Sequence, residues 1–167
     1  MHYTVARSAR VRLIRTPKYK NRVAGLTIQS KEDYSFYLDA DRIALNIERK
    51  RPRLIGDDVW KFQRLLRRAE YFHNCKKDTI SKTYFKYLYY KWYRQGLKFG
   101  FFIPLNVFGP GSSIAFYSGP IVVHPEATIG ENCRISYGVI IGRAPRREGM
   151  PKLGNHVFIG PNAVSVQ

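Results

Sequence analysis

Few side chains in this sequence can move a proton near neutral pH. His73, His124 and His156 are the candidates, because histidine alone titrates there without perturbation. Cys75 and Cys133 are too few for a disulfide framework, and they lack metal-ligand spacing. No metal is therefore expected, and Cys133 reads as a buried structural thiol. Positive charge is the other chemical resource: 29 Lys and Arg against 12 Asp and Glu give a net charge of +17. Seven of those cations, from Arg7 to Arg22, precede Leu26 with no acidic residue among them. Such a balance attracts nucleic acid, anionic lipid or a phosphorylated small molecule. The sequence has no paired Cys/His finger, no aromatic RNA-binding signature and no convincing helix-turn-helix, so nucleic acid is not expected as a partner.

The element that must position these residues is a six-residue beat. From Val123 the hexads read VHPEAT, IGENCR and ISYGVI. After an interruption beginning IGRAPR, the beat resumes as LGNHVF and IGPNAV. The first position holds Val123, Ile129, Ile135, Ile141, Leu153 or Ile159, and the fifth holds Ala127, Cys133, Val139, Val157 or Ala163. A helix repeats at 3.6 and a strand at two, so a period of six fits neither. It predicts a parallel β-helix, each hexad forming one flat face with its first residue pointing inward.

Upstream, residues 27 to 98 predict a helical region. Tyr34, Tyr37, Leu38 and Ile43 share one face. A second helix follows an N-cap at Asp57 or Asp58 and presents Val59, Phe62, Leu65, Leu66, Ala69 and Phe72. A third runs from about Ser81 to Gln95 and is dense in tyrosine. Its aromatic face is expected to pack on the core, with a membrane surface as the lesser reading, and Gly96 and Gly100 to end it. Residues 1–26 carry no usable period and read as a disordered or misassigned extension. No apolar run approaches a membrane span and no secretory signal opens the chain, so a cytoplasmic location is expected. The organisation is thus α+β: 1–26 extension, 27–98 helical region and 99–167 β-helix. The last hexad is followed at once by SVQ, which reads as a truncated solenoid without a cap.

From Ile103 to Ala163 the chain closely resembles the serine acetyltransferase family of left-handed β-helix acyltransferases. The motifs IPLNVFGPG, GPIVVHPEATIGENCRI and PKLGNHVFIGPNA carry the likeness, and they are nearest the branch found beside polysaccharide biosynthesis enzymes. The stretch from Tyr37 to Lys77 resembles that branch's helical region, so the likeness covers about residues 27 to 167. It implies transfer of acetyl from acetyl-CoA to the hydroxyl of L-serine, giving the precursor of cysteine. It also implies a homotrimer whose sites lie between neighbouring subunits. A serine hydroxyl is a poor nucleophile until a base removes its proton, and the thioester oxyanion needs donors.

At the position of the family's base histidine this sequence has Phe116, which accepts no proton. A second family histidine aligns with Met150. Three readings follow: an inactive β-helix remnant, a different base, or an acceptor other than serine, such as a sugar hydroxyl of a polysaccharide precursor. His124 is the first substitute base, against the plainer reading of a surface histidine before Pro125. His156 and His73 rank below it, and Tyr117 is a possible donor to substrate. The acetyl-CoA side of the pattern is better kept: Gly142 matches the glycine beside the pantetheine arm, with Arg143 next to it. Pro151-Lys152 and Gly160-Pro161 match the family's pairs further on. Lys152, with Arg143, Arg146 and Arg147, is suited to the phosphates of coenzyme A.

Overall fold

The computed structural model describes residues 27–115, 119–143 and 149–166. The basic segment 1–26 and the candidates Phe116, Tyr117, Arg146 and Arg147 lie outside the described residues.

Among the described residues three helices come first. Helix α1 (Lys31–Ala44) starts where Ser30 caps it, the serine Oγ accepting from the Asp33 N–H at 3.0 Å. Glu32 and Asp33 in its first turn complement the helix dipole. Helix α2 (Asp58–Cys75) buries Trp60, Phe62, Leu66 and Ala69. Asp57 does hold the N-cap position, but it does not cap with its side chain. Its backbone is left-handed (φ 55°), and its carboxylate instead accepts from the Arg53 N–H at 2.8 Å and from the Arg49 guanidinium. The Arg53 and Arg49 hydrogen bonds hold that carboxyl below the usual aspartate range.

Helix α3 (Thr79–Phe99) extends beyond the expected span at both ends, capped by Asp78, whose carboxylate accepts from the Ser81 N–H at 2.9 Å. Gly96 does not end it. It is buried inside the helix, where a Cβ would stand 2.6 Å from the Phe101 carbonyl oxygen, and Gly100, left-handed at φ 72°, is the terminator. The expected burial of the aromatic face holds only in part. Leu88 and Trp92 are buried and Tyr84 and Phe85 half-buried, but Tyr87, Tyr89, Tyr90 and Tyr93 are 46–61% exposed. Only one side of α3 meets α2 and the strands, so tyrosines on its other sides stay at the surface.

Among the described residues nine short strands follow: β1 (Phe101–Phe102), β2 (Ser113–Ile114), β3 (Ile121–Val123), β4 (Thr128–Ile129), β5 (Arg134–Ile135), β6 (Val139–Gly142), β7 (Lys152–Leu153), β8 (Phe158–Ile159) and β9 (Val164–Val166). Every pairing is parallel, in three ladders ordered β1-β3-β6-β9, β2-β5-β8 and β4-β7. From β3 onward the chain visits these ladders in rotation. Ile121 pairs with Val139, eighteen positions or three hexads on. Thr128 pairs with Lys152 and Arg134 with Phe158, one hexad more, because the interruption after Gly142 falls between them.

The hexad positions do as their spacing predicts. Val123, Ile129, Ile135, Ile141 and Ile159 are buried, as are Ala127, Cys133 and Val139 at the fifth position. Leu153, Val157 and Ala163 pack against the same core while partly exposed. The fourth position is the turn: Asn132, His156 and Asn162 all take positive φ there, and Gly138 does so without a side-chain penalty.

Candidate functional site

Two junctions between ladders gather the candidates. The first leads from the β1-β3-β6-β9 ladder to the β4-β7 ladder. The chain crosses it once as the tight turn His124–Ala127, closed by the Ala127 N–H donating to the His124 carbonyl at 3.0 Å. One turn of the ladders on, β6 ends at Gly142 and β7 begins at Lys152 on the two sides of the same junction. His124 follows Val123 and Gly142 follows Ile141, and those two residues are register partners, so His124 stands beside Gly142 on neighbouring rungs. The His124 N–H donates to the Ile141 carbonyl at 2.8 Å. Lys152, the first residue of β7, pairs with Thr128, where the tight turn ends. His124, Gly142, Arg143 and Lys152 therefore border one junction, with His124 and Gly142 half-buried and Arg143 and Lys152 exposed.

The His124 ring is already engaged. Its Nδ1 accepts from the Glu126 N–H at 3.2 Å. An imidazole accepting at Nδ1 carries its neutral-state proton on Nε2, so Nε2 is a donor in this geometry. To take a proton at Nε2, the ring must shift its own to Nδ1 and give up the Glu126 bond, worth about 1 kcal/mol.

The second junction leads from the β2-β5-β8 ladder back to the β1-β3-β6-β9 ladder. Gly160 and Pro161 lie there, Gly160 level with Ser136, whose N–H donates to the Ile159 carbonyl at 3.0 Å.

The remaining histidines have local explanations. His156 occupies a left-handed turn position (φ 59°), is exposed, and donates its N–H to the Glu131 carbonyl at 2.7 Å. His73 sits on the last turn of α2 with its ring centroid 5.0 Å from that of Phe85. The Cys133 thiol is buried, 3.2 Å from the Gly154 carbonyl oxygen, and burial pushes its pKa up, which suits a structural role. Among the described residues no group of three or more His, Cys, Asp and Glu is placed to hold a metal.

One polar cluster escaped the sequence reading. Arg67 on α2 is wholly buried between Asp41 of α1 (2.8 Å) and Glu70 (3.1 Å), beneath the Tyr37 ring. It also donates to the carbonyls of Phe108 (2.9 Å) and Gly109 (2.8 Å) and to Ser112 Oγ (3.0 Å). Asp41 accepts from the Ser112 N–H, and Glu70 from the Asn106 N–H. The cluster thus fastens two helices to the segment carrying the first strands. The sequence held a faint signal: Arg67 follows Leu66 and Glu70 follows Ala69, at the edge of the apolar side of the predicted helix.

No family model matches the chain, and no curated protein matches it either. The structure is similar to that of a serine acetyltransferase (CysE) from Neisseria gonorrhoeae, solved in complex with serine, with a TM-score of 0.52 and 24% identity. The match covers 81% of this chain and 55% of that one, so the chain spans about half the length of this neighbour. What the two share is a fold of helices followed by parallel strands.

Proposed function

We propose that the chain is an acetyl-CoA-dependent O-acyltransferase of the serine acetyltransferase kind. In this reading a helical region (27–98) precedes a left-handed β-helix (99–167) that works as a homotrimer. The observation that carries the reading is the likeness to serine acetyltransferase over four-fifths of the chain, made by ladders that the hexads had already specified. L-serine is the first-choice acceptor, and the sugar hydroxyl of a polysaccharide precursor the second.

The roles follow from the two junctions. Gly142 lets the pantetheine arm approach the backbone, and Arg143 and Lys152 offer exposed cations to the coenzyme's phosphates. Gly160 and Pro161, at the other junction, are assigned to the same arm because their pair resembles the family's. A site between subunits brings the first junction of one copy towards the second junction of its neighbour. That arrangement gives His124 access to a hydroxyl that no group at position 116 can deprotonate. His124 is the proposed base, acting once its ring proton has moved to Nδ1.

The test is release of coenzyme A thiol from acetyl-CoA, with and without L-serine. Serine-dependent release that falls at least a hundredfold in His124→Ala supports both the transferase and its base. Release that survives His124→Ala leaves the transferase standing and removes His124 from it. A second reading rests on Phe116: folded protein releasing no thiol with serine or sugar acceptors is a non-catalytic β-helix remnant.

A further inference from the structure

Among the described residues, the large apolar side chains with the greatest exposure are not at the proposed site. Leu54 and Ile55, in the connection from α1 to α2, are 94% and 91% exposed. They follow Lys50, Arg51 and Arg53, all at the surface. This tip has a fixed position, because Lys61 Nζ on α2 donates to the Leu54 carbonyl at 2.7 Å. Lys61 also lines a groove of about 730 Å³ between α2 and α3, with exposed Tyr90, Lys91, Arg94, Leu97 and Lys98 along its other wall. Helix α3 carries no acidic residue over its 21 residues. The acids beside the tip are Asp57, held by Arg49 and the Arg53 N–H, and Asp58, which lies 3.4 Å from Lys61. The result is an aliphatic tip beside a wall of cations and tyrosine.

We infer that this face docks on an anionic lipid surface, with Leu54 and Ile55 entering the boundary between headgroups and acyl chains. Lys91, Arg94 and Lys98 then engage lipid phosphates, while Tyr90 lies at headgroup depth, where amphipathic rings are favoured. Charge complementarity selects this occupant. A second copy of the same face would set cations against cations. A nucleic acid would satisfy the cations but has no use for an aliphatic tip that cannot stack on bases. No described helix is long and apolar enough to cross a membrane, so the contact is with the surface.

Flotation of the full chain with phosphatidylcholine vesicles, with and without phosphatidylglycerol, tests the assignment. Binding only to the anionic vesicles is expected. Lys91→Gln combined with Arg94→Gln weakens it about thirtyfold, since each surface cation contributes roughly fivefold. Leu54→Ser combined with Ile55→Ser weakens it about tenfold or more at unchanged charge. All four residues are exposed, and circular dichroism checks that both variants keep the fold. A Leu54→Trp variant shows blue-shifted emission from the introduced indole when anionic vesicles are added. Absence of binding overturns the inference. So does binding that neither double variant weakens, which would place the attraction elsewhere, as in the arginines before Leu26. An oligonucleotide bound with the same dependence on Leu54 and Ile55, or a change of oligomeric mass in the double variants, would replace the lipid surface with nucleic acid or self-association.

Discussion

Arg67 ties the helical region to the segment that carries the first strands. It has two carboxylate partners, Asp41 and Glu70, and both are as buried as it is. Burial works against the guanidinium charge, yet Asp41 and Glu70 more than offset it and hold Arg67 protonated. Glu70 is the partner that yields: its burial outweighs Arg67 and the Asn106 N–H, and its pKa is raised. Replacing Arg67 by Met leaves Asp41 buried without its cation, which costs about 3–5 kcal/mol in urea unfolding. Glu70→Gln should cost only about 1 kcal/mol, because it removes a charge the site already disfavours. The pH dependence follows with a definite sign. A carboxyl whose folded pKa is raised stabilises most below its unfolded value, about 4.3, and that stability is lost as pH rises towards the folded value. Unfolding measured across that window should show a decline in the parent chain that Glu70→Gln removes. A parallel decline in both proteins would show that another group titrates.

Among the elements, the junction of α3 with β1 shows two effects competing at one glycine. Gly96→Ala improves helix propensity by about 1 kcal/mol. Against this, the new Cβ meets the Phe101 carbonyl oxygen at 2.6 Å, and that is backbone rather than a movable side-chain end. Overpacking of this kind costs about 1–3 kcal/mol. The clash should win, and a thermal melt of Gly96→Ala should fall rather than rise. From sequence, Gly96 reads as a helix end because a glycine near the close of an apolar run usually is one. Only the packing partner reveals otherwise. The hexads were legible for the opposite reason, since a residue's place in its own hexad sets whether it faces the core. The Asp41–Arg67–Glu70 cluster was not, because its bonds to Phe108, Gly109 and Ser112 cross more than forty positions.

For the molecule as a whole, the longest ladder carries a feature that the fold itself does not use. Phe102, Val122, Ile140 and Val164 stand on its outward side as successive register partners, 38–47% exposed. Rungs about 4.8 Å apart bring these four side chains into one apolar ridge. Polar residues would serve equally well on an outward face that met only water, and a contiguous apolar patch marks a surface that is covered. The proposed trimer supplies a cover: neighbouring copies packed along this ridge would also set the junctions of adjacent chains side by side. Ile140→Lys puts a charge at the middle of the ridge while leaving the inward residues Val139 and Ile141 untouched. Light scattering should then report a lower mass than for the parent chain, and serine-dependent thiol release should fall with it if the site needs two copies. An unchanged mass would free the ridge of that role. Release that persists at the lower mass would confine the chemistry to one chain.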